Sequence, residues 1–220
     1  MRDALWLRFQ LPVDEAKLAE YDAGLAAGVR GKVAAAVAGD GVLDLNNQRL
    51  GDAGYRALAA YLRRHRGALP LTGLYLSLTD LTAAGACMLF GALLRRGCPA
   101  LKAVAVYQNP RLGARGLAHV VAALGPRLEG IYFNHCGVGD EGLVAFAAAM
   151  PRLTALKAVE AYGNGCGDAG ARAMAAAVRG ARGLEYLYMP RIPAVGAAAA
   201  AELRAAAAAA GVGDYDGPEW

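Results

Sequence analysis

Two stretches of the sequence have the G-x-G-x-x-G spacing with which glycine-rich turns hold nucleotide phosphates. They are Gly137–Gly142 and Gly165–Gly170, and each follows a short apolar stretch and precedes an Ala-rich one, as a dinucleotide site between a strand and a helix would. Two copies in the same register indicate a repeating backbone unit instead. Asp140 and Asp168 also place a carboxylate where a pyrophosphate would bind. We therefore expect no nucleotide and no other cofactor.

His135 and Cys136 are the nearest approach to a nucleophile with its base, or to a pair of metal ligands. Adjacent residues of a strand point to opposite faces, so these two side chains should diverge. His65 and His119 have no partner at ligand spacing. The four cysteines are Cys87, Cys98, Cys136 and Cys166. Because they form no C-x-x-C pair, we expect reduced thiols. Taken with the histidines, we also expect no metal site, no catalytic residue and no enzymatic activity.

Arginines collect near the ends of the Ala-rich stretches. They are Arg63, Arg64, Arg66, Arg95, Arg96, Arg127, Arg152, Arg179 and Arg182. A stripe of this kind suits nucleic acid or an anionic membrane, but arginine near a helix C-terminus also complements the helix dipole. The net charge of +4 is far below that of a dedicated nucleic-acid binder. We favour the dipole interpretation and expect no nucleic-acid partner.

Length and hydropathy limit the class of protein. The 220 residues are enough for a substantial core. Arg8 interrupts the N-terminal apolar run that a signal peptide would need. No window of about 18 residues is both apolar and uncharged, so no membrane span is expected. The sequence predicts a soluble protein of the cytoplasm or another intracellular compartment.

The elements that position these residues form a repeat. We number positions within a unit so that Leu128 is position 1 and Ile131 is position 4. The apolar residues at position 4 are Leu43, Leu74, Val104, Ile131, Val159 and Leu187, at spacings of 31, 30, 27, 28 and 28 residues. Each unit reads as a short strand, a turn and a helix. We predict repeats over residues 40–193, a strand–helix cap over 1–39, and a capping helix with a frayed tail over 194–220.

Register glycines are expected to open five of the helices. They are Gly54, Gly85, Gly116, Gly142 and Gly170. Aspartates stand two residues ahead of three of these glycines, at Asp52, Asp140 and Asp168. A carboxylate at such a place is expected to accept the free N–H groups at a helix start.

The segment LEGIYFNHCGVGDEGLVAFAAAM resembles the ribonuclease-inhibitor class of leucine-rich repeat, L-x-x-L-x-L-x-x-N/C-x-I-G-D-x-G followed by a helix. The resemblance covers roughly residues 40–205. It implies an α/β horseshoe solenoid with parallel strands on the concave face and helices on the convex face. It also implies that position 9 satisfies backbone groups of the turn. Gln48 and Thr79 depart from the pattern there, so the first two turns are expected to be looser.

Tyrosines concentrate on the predicted concave face. Six of the ten fall at positions 3, 5 or 7, next to small residues at position 3 such as Gly73 and Gly130. Such a surface is a shallow aromatic groove, and exposed tyrosines are enriched in interfaces. The predicted binding residues are Tyr75, Tyr107, Tyr132, Tyr162, Tyr186, Tyr188, Asn134, His135 and Glu160. We predict a module that binds a protein or peptide, alone or within a larger complex.

Two other functions stay open at this point. One is a structural subunit of a large assembly, which would use the convex side and the edges as well. The other comes from a resemblance to the Ran GTPase-activating protein family, although this chain is short and lacks a long acidic tail. Ribonuclease inhibition is disfavoured, because a basic ribonuclease needs an acidic face and this chain is net basic.

Overall fold

Helices and strands alternate along the whole described chain. The computed structural model describes residues 27–64, 67–189, 194–212 and 214–216. Within these ranges the helices are α1 (Ala27–Ala38), α2 (Gly51–Arg64), α3 (Ala83–Arg96), α4 (Gly113–Ala122), α5 (Gly139–Ala149), α6 (Asp168–Arg179) and α7 (Ala197–Ala210). A 3₁₀ turn, Met150–Arg152, extends α5. The strands are β1 (Val42–Asp44), β2 (Gly73–Tyr75), β3 (Ala103–Ala105), β4 (Gly130–Tyr132), β5 (Ala158–Glu160), β6 (Tyr186–Tyr188) and β7 (Asp214–Asp216).

The strands form one parallel sheet in chain order, β1 to β7. The position-4 residues lie opposite one another across it: Val104 pairs with Ile131, and Ile131 pairs with Val159. Parallel strands need a crossover between them, here a helix, and right-handed crossovers between strands in chain order place every helix on the same face of the sheet. The predicted α/β leucine-rich repeat solenoid is confirmed, with strands lining the concave side and helices the convex side.

The core lies between the sheet and the helices. Positions 4 and 6 point into it, so Ile131 and Phe133 are fully buried. Phe133 meets Phe146 of α5 edge-to-face with ring centroids 5.1 Å apart. The buried apolar cluster runs without a break from Val29 to Val212. The repeats therefore share one continuous core rather than separate ones.

The register glycines lie inside the first helical turn rather than at its start. α5 begins at Gly139, three residues before Gly142. A Cβ at Gly142 would stand 3.3 Å from the Cα of Ala114 in α4 and still closer to Val138. The glycine is needed because successive helices pack almost backbone to backbone at this level.

The aspartates of the repeat bind the next helix, not their own. Asp140 Oδ1 accepts the N–H groups of Gly167 and Gly170 at 2.7 and 2.8 Å, at the start of α6. Asp168 Oδ1 accepts the N–H of Gly196 before α7 at 2.7 Å. Asp140 and Asp168 accept free N–H groups at a helix start, as predicted, but that helix belongs to the next repeat. Sequence spacing cannot show that the N-terminus of the neighbouring helix is the nearer one.

Part of the C-terminal tail forms a further strand of the sheet. Residues 214–216 form β7 and pair with β6, where a frayed tail was predicted. Gly211 turns the chain back with φ +71° and Val212 is buried. Pairing satisfies backbone groups that β6 would otherwise leave exposed at a sheet edge. The strand of the cap predicted over residues 1–39, and the start of its helix, lie outside the described residues.

Removing one whole repeat should leave a shorter folded solenoid. Excision of residues 128–155 joins Arg127 to Leu156, which again occupies position 1, so the remaining units restack. The product should unfold at lower urea, because it loses the Asp140 cap and places Lys102 beside Lys157. Circular dichroism checks the fold. Excision of residues 128–141, half a unit, breaks the register and should unfold the protein; a folded half-unit product would contradict the stacked-repeat account.

Replacing Asp140 by alanine should cost about 1–2 kcal/mol of unfolding free energy, because two N–H groups at the start of α6 lose their acceptor. Urea denaturation followed by circular dichroism measures it. Glu141→Ala is the matched control: Glu141 is exposed on the same helix turn, and its loss should stay within about 0.5 kcal/mol. Equal effects of the two substitutions would disprove the cross-repeat cap.

Candidate binding surface

The strand register places the position-5 side chains in one row across the sheet. Tyr75 pairs with Ala105, Ala105 with Tyr132, Tyr132 with Glu160, and Glu160 with Tyr188. Adjacent strands are about 4.8 Å apart, so each side chain in the row borders the next. We call the surface made by positions 3, 5 and 7 of β2–β6 the tyrosine face.

Two of the tyrosine rings fold back over the glycines of their own strands. A Cβ at Gly130 would stand 2.7 Å from the hydroxyl oxygen of Tyr132, and one at Gly73 would stand 3.1 Å from the ring of Tyr75. The small residues at position 3 are thus covered on β2 and β4. The expected groove is filled there by the tyrosines themselves, because a ring at position 5 can lie along the strand as well as stand up from it.

Tyr132 is held in this arrangement at the middle of the face. It is half-buried. Burial raises the pKa of its hydroxyl, and the negative charge of Glu160 on the next strand raises it further. The Tyr132 hydroxyl therefore stays protonated at neutral pH and is available as a hydrogen-bond donor.

The rings on the β4–β6 side form a connected aromatic cluster. The Tyr162 ring meets His135 at 4.7 Å and Tyr188 at 5.7 Å, both edge-to-face. Tyr186 and Tyr188 lie parallel at 6.5 Å, with an interplanar angle of 2°. These distances are typical of stabilising aromatic pairs. The structure thus brings four of the predicted site residues into contact with one another.

Asn134 links two strands of this cluster. Its Oδ1 accepts the backbone N–H of Tyr162 at 2.7 Å, and its Nδ2 donates to Glu160 Oε2 at 2.6 Å. The amide is therefore oriented by the backbone of β5 and in turn orients the carboxylate. Sequence reasoning placed Asn134 and Glu160 on the face but not in contact, because a contact between different positions depends on side-chain rotamers.

Tyr75 and Tyr107 lie on the other side of the face, on β2 and just after β3. Tyr107 is 36% exposed, the same fraction as Tyr162. Ala105 separates Tyr75 from Tyr132 in the position-5 row. The nine predicted residues therefore share one surface, but the dense part of it lies over β4, β5 and β6.

A turn in the left-handed conformation follows each of the strands β1–β5. Position 8 has φ between 54° and 70° at Asn47, Leu78, Gln108, His135 and Gly163. This geometry turns the chain away from the sheet and exposes His135, whose ring lies against Gly163 where a Cβ would clash. His135 and Cys136 diverge as predicted, but through the turn rather than through strand alternation. Asn, His and Gly at position 8 were the available signal for it.

The side chains at position 9 point inward and bind backbone groups of this turn. Asn164 Oδ1 accepts the N–H of Cys136 at 2.9 Å, and its Nδ2 donates to the carbonyls of Phe133 and Ala161. Two repeats earlier, Asn109 makes the equivalent contacts: its Oδ1 accepts the N–H of Thr79 at 3.2 Å, and its Nδ2 donates to the carbonyls of Leu76 and Val106. Thr79 is fully buried and bonds to Leu76 O and the Tyr55 hydroxyl. The second turn is therefore closed by a different set of groups rather than loosened.

The two buried cysteines, Cys136 and Cys166, have raised pKa values. Cys136 is buried, its Sγ donates to the carbonyl of Val106 at 3.0 Å, and burial raises its pKa to about 12. Burial likewise raises the pKa of Cys166 to about 11. A thiol in this state is a weak nucleophile. Across the described ranges, no group of three or more His, Cys, Asp and Glu residues could hold a metal ion.

The second of the two glycine-rich turns is filled by the protein itself. In the Gly165–Gly170 stretch, the Asp140 carboxylate of the preceding repeat occupies the helix N-terminus, where a phosphate would have to bind. A nucleotide would have to displace a hydrogen-bonded carboxylate of its own sign of charge. The geometry thus gives the recurring motif a structural role.

The contacts of Arg152 agree with the helix-terminus interpretation. Arg152 donates to the carbonyls of Val121 and Leu124, at the C-terminal end of α4. Burial lowers the pKa of Arg63, and the nearby Arg95 lowers it further. Two arginines on neighbouring helices thus come close, as stacking predicts, while Arg152 serves the helix end.

Comparisons with known proteins bear on the fold alone. No protein-family model matches the chain, and no curated protein matches it. Among solved structures, it is similar to the C-terminal domain of tropomodulin from Caenorhabditis elegans, with a TM-score of 0.50 and 13% sequence identity. The match covers 71% of this chain and 92% of that chain. It supports a leucine-rich-repeat-type solenoid. Of the helices described, none is long and apolar enough to cross a membrane.

Cys136→Ser should destabilise the protein by about 1–3 kcal/mol, because a buried hydroxyl is costlier to desolvate than a thiol. The shorter C–O bond also leaves the hydroxyl farther from the Val106 carbonyl. Urea unfolding measures the loss. Cys87→Ser, at a half-buried helix position, is the control and should cost less than about 1 kcal/mol. Adding a reducing agent should leave the melting temperature of the parent protein unchanged. A change in the melting temperature would reveal a disulfide and contradict the assignment of free thiols.

Proposed function

We propose that the protein is a non-enzymatic binding module that holds a protein or peptide partner on its tyrosine face. The observation that carries the proposal is the aromatic cluster of His135, Tyr162, Tyr186 and Tyr188, which is partly exposed on a rigid sheet. Tyrosine supplies a large contact area and a hydrogen-bonding hydroxyl at low entropic cost. The ring contacts fix the side chains before binding, so little further ordering is required.

The repeat form supports assignment to the ribonuclease-inhibitor-like class. Each unit from β1 to β6 ends in a full α-helix, and the helices α2, α3 and α6 have 14, 14 and 12 residues. The Asn and Cys side chains at position 9 close the turn as that class requires. Membership of this class carries no activity of its own. Function has to come from the exposed side chains.

A protein or peptide fits the face better than a small molecule or a nucleic acid. The surface is open, with two tyrosine rings lying flat over β2 and β4, so it lacks the deep enclosure of a small-molecule site. The tyrosine face carries Glu160 at position 5 of β5. The negative charge of this side chain would repel the phosphate backbone of a nucleic acid. Nothing in the described geometry places a nucleophile next to a base, which favours binding over catalysis.

Partner capture with matched variants tests the proposal. The tagged parent, a Tyr132→Ala/Tyr162→Ala/Tyr188→Ala variant and an Arg179→Ala variant are used in parallel on an extract of the source organism. Proteins retained by the parent and Arg179→Ala but lost with the triple variant support the tyrosine face. Retention by all three would favour a structural subunit that uses its convex side. Stimulated GTP hydrolysis by small GTPases would favour the GTPase-activating alternative.

Once a partner is isolated, Tyr132→Ala should weaken its binding by about 2 kcal/mol, or roughly thirtyfold, because hot spots concentrate on central, well-surrounded aromatics. Arg179→Ala, exposed at the end of α6, should cost less than about 0.5 kcal/mol, and less still with added salt. Calorimetry measures both, alongside melting curves. A greater loss for Arg179→Ala would move the interface off the tyrosine face.

A further inference from the structure

Glu160 occupies an unusual place on the tyrosine face. In the position-5 row it stands directly between Tyr132 on β4 and Tyr188 on β6. Tyr162 follows it by two residues on the same side of β5 and contacts the Tyr188 ring. A single carboxylate is therefore bordered by three phenol rings, on both neighbouring strands and along its own.

The charge of Glu160 has no counterion within the described part of the chain. Its hydrogen-bond donor is the neutral amide of Asn134, at 2.6 Å, and the ion pairs found there do not include it. At positions 3, 5 and 7 of β2–β6, as far as these are described, every other side chain is uncharged. The negative charge reaches the neighbouring ring, since it raises the pKa of Tyr132.

The charges at position 2, just before the strands, are paired by contrast. At position 2, Lys102 and Glu129 are 3.0 Å apart, and Lys157 and Glu185 are 4.0 Å apart. These pairs lie at the N-terminal ends of the strands, one side of the tyrosine face. The carboxylates at position 2 are thus neutralised by lysines in register, whereas the half-buried Glu160 lies among aromatic rings without such a lysine.

We propose that Glu160, with Tyr132, Tyr162 and Tyr188 around it, binds an arginine side chain of the partner; this rests on the function proposed above. The carboxylate supplies the charge and two acceptor oxygens, of which Oε2 is already oriented by Asn134. The rings supply faces that attract a cation. A site with a half-desolvated anion and electron-rich walls is complementary to an organic cation and to no other common side chain.

The shape of the site favours guanidinium over ammonium. A guanidinium is planar, so it can lie on a phenol ring while its edge donates two hydrogen bonds to one carboxylate. It is also less strongly hydrated than an ammonium and loses less on entering a half-buried site. The parallel rings of Tyr186 and Tyr188, 6.5 Å apart, show that flat groups already stack on this part of the surface.

The test uses three capped tripeptides, acetyl-Gly-Arg-Gly-amide and its citrulline and lysine analogues, titrated into the full chain labelled with ¹³C on the tyrosine rings. The arginine peptide should shift a subset of ring resonances with roughly millimolar affinity. Citrulline has the same shape without the charge and should bind about tenfold more weakly, as should lysine. Binding of the arginine peptide should weaken further with added salt.

Glu160→Gln should weaken the arginine peptide about tenfold while keeping the fold, because the glutamine oxygen can still accept from Asn134. Glu129→Gln, which removes a carboxylate already paired with Lys102, is the matched control and should bind as the parent does. Equal binding of arginine and citrulline, tighter binding of lysine, or an unchanged affinity in Glu160→Gln would each overturn the inference. The proposed function would survive any of these results if partner capture still depends on the tyrosines.

Discussion

The whole structure depends on one constraint: a single repeat cannot satisfy its own backbone. The turn after each strand leaves inward-facing amide and carbonyl groups, and Asn164 satisfies those of the preceding repeat at Cys136 and Phe133. The helix that follows leaves free N–H groups, and Asp140 satisfies those of the next repeat. Side chains thus reach backward from the turns and forward from the helices. Unsatisfied buried groups are costly, so neighbouring repeats are obligatory partners.

This mutual support makes the sheet a rigid platform of short strands. Each strand has three residues, too few to be stable alone, yet the main-chain ladder continues past the strand ends. The N–H of His135 donates to the carbonyl of Tyr162 at 2.8 Å. A side chain that projects from such a backbone begins with most of its freedom already removed. The tyrosine face is therefore suited to binding without rearrangement.

The same stacking sorts the charges of the molecule. Because each unit repeats the last, residues at one position form a line across the sheet or the helices. Lysines and glutamates alternate at position 2 and neutralise one another. Near the helix ends, Arg152 donates to carbonyls and Arg63 lies close to Arg95. In the row at position 5 of β2–β6, by contrast, the Glu160 carboxylate lies between Tyr132 and Tyr188. The recognition that we propose for this protein rests on that departure more than on its modest net charge.

Much of this could be read from the sequence, because the repeat is a property of spacing. The apolar residues at positions 4 and 6 predicted the strands and their register, since only one register buries Ile131 and its counterparts together. The parallel order of the strands was implied by the resemblance to leucine-rich repeats. The same register placed the six tyrosines, Asn134, His135 and Glu160 on one surface. Periodicity could do this because it specifies which side of the sheet a residue occupies.

Tertiary structure decided what those residues touch. Nothing in the spacing shows that Asp140 caps the next helix, that the ring of Tyr132 lies over Gly130, or that Asn134 orients Glu160. β7 likewise depends on a free sheet edge that exists only once β6 is in place. The physical reason is the same in each case: these contacts join different repeats or depend on rotamers, and their geometry is fixed by packing rather than by local sequence.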